Sequence, residues 1–201
     1  MATISTMASS DVPVSVLGAR WANSERSEWK AGFLGFGGRF VEVEDVRFLD
    51  WTVDGIPLRN RLAFRDGSPC FDITFLTQGS EGEPFAVASL RALLRTSGSA
   101  LDQRVQFSDH RVGLLFCPQC GGLDCGAVTT EVRVGGDVVE WRDVAYQEGM
   151  SGDVRADEVP AFSVTFDRAQ YESFVRSLLR QWDRRMPGDS TDRAHAPKKR
   201  R

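Results

Sequence analysis

Hydrophobic and polar positions alternate with a period of two over several short stretches, the pattern of strands in a sheet with one wet face. The alternation is clean at 40–44, passes into the β-rich run 46–53 and returns at 71–76. Asp54 and Gly55, which are common hairpin-turn residues, follow the second run. The pattern therefore predicts antiparallel strands in the first half of the chain.

The second half carries the strongest hairpin signal. Residues 127–134 alternate, Gly135-Gly136 supplies a turn, and 137–146 returns with apolar residues near the turn. A compact apolar run at 112–116 predicts a further strand, and 162–166 predicts a last short one.

Two segments have the period of a helix instead. Residues 84–95 predict a short helix with a proline in its first turn. Asp167 and Gln170 stand at the N-cap and N3 positions of a second helix, with Phe166 and Tyr171 at the hydrophobic-staple positions. Its apolar stripe consists of Tyr171, Phe174, Val175, Leu178, Leu179, Trp182 and Met186. We expect this C-terminal amphipathic helix to pack on the protein's own sheet.

The order of these elements predicts an α+β fold, a mainly antiparallel sheet of about six strands with the C-terminal helix on one face. A length of 201 residues suits one domain. We assign it to 14–186, with a cysteine turn at 117–126, and expect a disordered lead-in at 1–13 and a disordered basic tail at 187–201.

Net charge separates the body of the chain from its tail. The whole chain carries −3 and residues 187–201 carry +3, so the body is acidic. An acidic body argues against nucleic-acid binding and against binding to anionic membranes. No window approaches the roughly 18 consecutive apolar residues of a membrane helix. The ending at 197–201 resembles a basic nuclear-import signal, although short basic ends are usually solvated tails.

The most informative chemistry lies in Cys117-Pro-Gln-Cys120-Gly, followed by Cys125. Two thiolates separated by two residues can bind one tetrahedral zinc ion, and the glycine lets the backbone turn beneath the metal. Cys125 is a candidate third ligand. We expect structural zinc here, with the fourth position filled by Cys70, His110 or His195, or left to water.

Chain geometry favours Cys70 over His110 as the fourth ligand. Seven positions of extended chain separate His110 from Cys117 and span roughly 20 Å, whereas all donor atoms must lie within about 2.3 Å of one ion. Cys70 is distant in sequence, so sheet pairing can bring it to the turn. An incomplete site of three cysteines stays open as an alternative.

Other interpretations of the cysteines compete with zinc. They can pack as small buried hydrophobes, or Cys117 and Cys120 can form a redox-active pair. Thioredoxin-type sites run directly into a helix, whereas Gly121-Gly122 is a poor helix start. The number and spacing of the cysteines do not match a ferredoxin-type cluster. The sparse cysteines indicate a reducing cytoplasm, where disulfides are not expected.

Further catalytic motifs are weak. The glycines at 32–38 match neither a dinucleotide fingerprint nor a P-loop, and no nucleophile elbow occurs. His110 is the sole histidine of the body and follows Asp109 in a predicted surface turn. The carboxylates at strand spacing are expected to face solvent; they are Glu42, Glu44, Asp50 and Asp54.

The chain carries the segments VRFLDWTVDGIPLR, CPQCGGLDCGAVTTEV and VVEWRDVAYQ in this order. Together they resemble a group of uncharacterised small bacterial proteins with a strand, a CPxCGxxxCGA segment and a hairpin. The resemblance spans about 46–182. Its most specific positions are Cys117, Cys120, Cys125, Gly126, Trp141, Arg142 and Asp143. The group has no established activity, although some members carry an oxidoreductase label.

The sequence thus predicts a small cytoplasmic accessory protein without catalysis, which binds an unknown protein partner and has its cysteine turn fixed by zinc. A thiol-disulfide oxidoreductase using Cys117 and Cys120 is the first alternative. An inhibitor or immunity-type protein, with its acidic body against a basic partner, is the second.

Overall fold

The structure of the chain is a computed structural model. It describes residues 13–31, 38–62, 72–78, 83–96, 105–107, 109–117, 123–149, 151–157 and 159–184; the side chains of 25–31, 38–46 and 83 lie outside this description. The predicted lead-in, apart from residue 13, and the predicted tail at 187–201 also lie outside it.

Two antiparallel sheets form the framework of the described part, in place of the single six-stranded sheet predicted above. The first has the order β1-β2-β3, with β1 at Leu17–Ala31, β2 at Gly38–Val53 and β3 at Ile56–Pro57. A short 3-10 helix, Leu58–Arg61, follows β3. The fold class is α+β, as predicted, but the prediction of one sheet is wrong.

The second sheet is a four-stranded meander in chain order. Its strands are β4 at Val112–Phe116, β5 at Ala127–Val134, β6 at Val138–Gln147 and β7 at Phe162–Asp167. All four strands were predicted, and the bounds of β4 and β5 match those read from the apolar pattern.

Single bridges connect the two sheets at both sides. Ser15, just before β1, pairs in parallel with Phe166 of β7. On the other side, the segment 72–78 bridges both sheets, because Ile73 pairs with Phe116 of β4 and Thr77 pairs with Phe48 of β2. The prediction of a strand at 71–76 is therefore wrong. The described residues of this stretch cross from one sheet to the other and are not a strand of either.

Two helices pack against each other and against these sheets. Helix α1 is Glu83–Leu93 and helix α2 is Arg168–Asp183. The N-cap of α2 is Asp167, as predicted, and its side chain accepts a hydrogen bond from Gln170 N at 2.8 Å. Helix α2 contacts β1, β6 and β7, so the predicted docking of the C-terminal helix on the sheet is confirmed. Met186, the last residue of the predicted stripe, lies outside the described residues.

Candidate functional site

The cysteine turn connects two neighbouring strands of the second sheet. Phe116, the last residue of β4, pairs with Ala127, the first residue of β5, so 117–126 is the connection of a hairpin. Cys117 begins this connection and is buried, with 9% of its surface exposed, whereas Cys125 near its end is exposed. Cys120 lies outside the described residues.

The backbone around Cys125 is closely confined. Gly126 has a φ of 99°, and a Cβ atom there would lie 2.5 Å from the carbonyl oxygen of Gln147. Gly126 N donates to Leu123 O at 2.8 Å, and the hydroxyl of Tyr146 donates to the carbonyl of Cys125 at 3.1 Å. The second half of the turn is thus fixed against β6, and only glycine fits at position 126.

Cys70 also lies outside the described residues, but its neighbours in sequence are placed. Phe116 N donates to Ile73 O at 2.7 Å, and Ile73 N donates to Phe116 O at 3.4 Å. This pair is antiparallel. Moving from Ile73 to Asp72 therefore follows the same direction as moving from Phe116 to Cys117.

His110 lies at the other end of β4 from Cys117. Its backbone N–H donates to Phe107 O at 2.9 Å, closing a turn in which His110 has a φ of 65°. The whole of β4 separates this turn from the cysteine turn. The other histidine, His195, lies outside the described residues.

Within the described ranges, no group of three or more histidine, cysteine, aspartate or glutamate side chains is arranged to hold a metal ion. Cys70 and Cys120 are outside those ranges. The zinc site on Cys117, Cys120, Cys125 and Cys70 therefore stays a prediction.

Among the carboxylates of the described chain, Asp50 has the most strongly shifted pKa, and the prediction of its location was wrong. It was expected to face solvent, yet it is completely buried on β2. The Nε atom of Arg59 lies 3.0 Å from its Oδ2 atom. Burial raises the pKa of Asp50 to about 6, although the positive charges of Arg59 and Arg20 oppose the rise.

Asp72 lies near Asp50, and its charge further raises the pKa of that residue. Burial raises the pKa of Asp72 as well, against the hydrogen bond that Ser24 Oγ donates to its Oδ2 at 2.6 Å. Among the described residues, the buried Oδ1 atoms of both aspartates have no hydrogen-bond partner. These carboxylates connect β1, β2, the 3-10 helix and the 72–78 segment. The sequence does carry a signal for the burial of Asp50. Apolar residues stand on both sides of it, a pattern typical of a strand buried on both faces.

A second buried polar group centres on Arg111, which is 7% exposed. Its Nε donates to Thr129 Oγ1 at 2.9 Å, and its terminal nitrogen donates to the carbonyls of Thr129 and Asp143. Gln147 donates to Asp109 Oδ2 at 2.9 Å and accepts from Thr129 Oγ1 at 3.0 Å. These groups satisfy one another's hydrogen-bonding capacity. They stabilise the place where the register between β5 and β6 shifts.

No family model, curated protein or solved structure matches this chain. Among the described residues, no helix is both long enough and apolar enough to cross a membrane.

Proposed function

We propose that the chain is a small, non-catalytic binding protein of the cytoplasm, with the turn at 117–126 fixed by a structural zinc ion. The ligands are the thiolates of Cys117, Cys120, Cys125 and Cys70. The observation that carries this proposal is the antiparallel pair of Ile73 with Phe116.

The pair indicates how a residue distant in sequence reaches the turn. Cys70 is three residues before Ile73, and Gln119 is three residues after Phe116. An antiparallel register continued beyond this bridge would place these two positions opposite each other. All four cysteines would then belong to one end of β4, where four thiolates match the tetrahedral preference of zinc.

The polar groups around Arg111 and beside the β5–β6 turn support a role without catalysis. Arg111, Thr129 and Gln147 bond one another and backbone carbonyls. A cleft of about 330 Å³ beside the β5–β6 turn contains Arg168, but this guanidinium bonds Glu172 and the Gly135 carbonyl. None of these hydrogen bonds pairs a nucleophile with a general base, the arrangement that nucleophilic catalysis requires.

The alternative function for the cysteine turn is that of a thiol-disulfide oxidoreductase. Thioredoxin-type sites place their first cysteine at the start of a helix, whose N-terminus stabilises the thiolate. Here Cys117 is buried, and the chain enters strand β5 two residues after Cys125. Five residues, 118–122, lie between Cys117 and the described end of the turn, fewer than an ordinary helix needs.

The test is elemental analysis of the full chain purified without a chelator or nickel affinity step. We expect about one zinc per chain, and we expect Cys120→Ser and Cys70→Ser each to lower both zinc content and melting temperature. His110→Asn is the control, because asparagine tolerates the positive φ at this position. It should retain both properties.

Two results would contradict the proposal. Metal-free protein whose thiols are alkylated rapidly near neutral pH would favour the redox function. If Cys70→Ser keeps full zinc content and thermal stability while Cys120→Ser loses both, the assignment of Cys70 is wrong.

A further inference from the structure

Strand β1 forms one edge of the first sheet, because β2 lies between it and β3. Just before β1, Val16 O accepts from Asp54 N at 3.0 Å, and Val16 N donates to Asp54 Oδ1 at 2.8 Å. Hydrogen bonds between antiparallel strands fall on every second residue. The even-numbered residues of β1, as far as Ser24, therefore bond to β2. The odd-numbered residues direct their N–H and C=O groups away from it.

Two further contacts show the same alternation. Gln170 Nε2 of helix α2 donates to the carbonyl of Leu17 at 2.9 Å, so this odd-numbered carbonyl points away from β2. On β2, Leu49 lies opposite Trp21 and donates its N–H to Leu76 O at 2.8 Å, away from β1. The backbone of Trp21 must likewise point away from β2, because directly opposite residues bond to each other or not at all.

The outward backbone groups of Ala19, Trp21 and Asn23 bond to no other part of the chain that the structure describes. An unpaired edge of this kind is a template for pairing with a further strand. Natural edge strands are commonly protected by lysine, proline or a bulge. Neither lysine nor proline occurs at 17–24, and the bulge of β1 lies beyond this stretch. The edge at 19–23 therefore lacks these protections.

The side chain of Trp21 is 40% exposed, although tryptophan is buried in most proteins. It is held in place on the strand, because Trp182 stacks on it at a centroid distance of 6.3 Å and Arg47 Cζ lies 5.1 Å from its ring centroid. Tryptophans are frequent anchors of protein interfaces, and an anchor that is already ordered loses little conformational entropy on binding. A further strand on this edge would cover Trp21.

The sequence of β1 itself fits this edge. An antiparallel pair of two copies, centred on Trp21, places the two Trp21 residues directly opposite each other and Ala19 opposite Asn23. On the other face of the sheet, Arg20 lies opposite Ala22. Aromatic residues at opposite positions stabilise an antiparallel pair, and no like charges are opposed at 19–23 in this register.

The neighbouring registers fit less well. A pair centred on Arg20 places two arginines directly opposite each other, and a pair centred on Asn23 places Arg20 opposite Arg26. Like charges at opposite positions destabilise an antiparallel pair. A pair centred on Ala22 opposes no arginines but places Trp21 opposite Asn23, so the aromatic pair is lost.

We propose that the chain forms a symmetric dimer by antiparallel pairing of two β1 edges, centred on Trp21. Ala19, Trp21 and Asn23 of the two copies exchange about six backbone hydrogen bonds, and the first sheets of both copies become one continuous sheet. The dimer does not depend on the zinc site, which belongs to the second sheet.

Sedimentation equilibrium of the full chain measures the dimer, and Asn23→Pro tests the pairing. Proline removes an N–H that points away from β2, so the fold keeps its ladder while the dimer loses two hydrogen bonds. We expect dimerisation to weaken at least about tenfold, with an unchanged circular dichroism spectrum. Asn23→Ala retains the N–H and should dimerise as the native chain does.

Exchanging charge at position 21 tests the register. Trp21→Glu and Trp21→Arg should each be monomeric, because each places like charges opposite each other in the dimer. An equimolar mixture of the two variants should form a heterodimer, since the charges then attract. If Asn23→Pro does not fold, the mixture alone decides.

Three results would overturn the proposal. The first is a native chain that stays monomeric at all concentrations, as expected if a strand of a different protein occupies the edge. The second is a folded Asn23→Pro chain that dimerises like the native one. The third is a mixture of the Trp21→Glu and Trp21→Arg chains that does not associate.

Discussion

The Nε atom of Arg59 lies 3.0 Å from Oδ2 of Asp50, a carboxylate with no exposed surface. The ion pair attaches the 3-10 helix to the C-terminal end of β2. Even so, the pKa of Asp50 rises to about 6, because the loss of hydration on burial outweighs the nearby positive charges.

This raised pKa gives the stability of the fold a defined pH dependence. Asp50 loses its proton near pH 6 in the folded chain and near pH 3.9 when unfolded, so its contribution to stability falls between these values as pH rises. We expect Asp50→Asn, which cannot ionise, to gain about 2 kcal/mol relative to the native chain between pH 4 and pH 7. Urea unfolding at both pH values measures this change.

Asp54→Asn is the control with the opposite sign. A hydrogen bond from the Val16 N–H lowers the pKa of Asp54, so its contribution is present at neutral pH and is lost as pH falls through the lowered pKa. A difference between the native chain and Asp50→Asn that does not change with pH would refute the account of Asp50.

Tyr171 joins the second sheet to both helices. Its hydroxyl accepts from Trp141 Nε1 at 3.0 Å and donates to the carbonyl of Leu93 at 3.0 Å, all within the core. Tyr171→Phe leaves a buried donor without its acceptor, and we expect a loss of about 2–4 kcal/mol in unfolding free energy. Tyr146→Phe removes an exposed hydroxyl contact and should cost less than about 1 kcal/mol. Equal losses from the two substitutions would contradict the assigned role of Tyr171.

Gly126 controls the shape of the cysteine turn. With its φ of 99°, a Cβ atom would approach Gln147 O and the Tyr146 ring at 2.5 and 2.6 Å. Gly126→Ala should lower the unfolding free energy by at least about 2 kcal/mol and reduce zinc retention. Gly136→Ala has open space around its Cβ and should change stability by no more than about 0.5 kcal/mol. An alanine at 126 that leaves both stability and zinc content unchanged would show that the turn is less confined than described.

Local signals predicted the elements whose structure depends on local contacts. Asp167 caps α2 through a hydrogen bond to a residue three positions away, and the staple rings of Phe166 and Tyr171 lie 5.5 Å apart. The β5–β6 hairpin likewise follows from alternation around a glycine turn.

Features that depend on distant pairing were not predictable in this way. Strand β1, Leu17–Ala31, has no clean alternation and was missed; it is a strand because it pairs with β2 along its whole length. Asp50 has apolar neighbours, but only the placement of Arg59 and the 72–78 segment shows that it is covered. For the zinc hypothesis, cysteine spacing suggested three ligands and chain geometry favoured Cys70 over His110 as the fourth, whereas the tertiary pairing of Ile73 with Phe116 was not predictable.

Zinc K-edge X-ray absorption of the purified full chain tests the central claim most directly, because it reports the atoms bound to the metal. Four thiolate ligands predict a first shell of four sulfur atoms at about 2.3 Å. Cys70→Ser should reduce the shell to three sulfur atoms and one lighter atom. A native first shell that contains nitrogen or oxygen at about 2.0 Å, or protein purified without any zinc, would contradict the four-cysteine site.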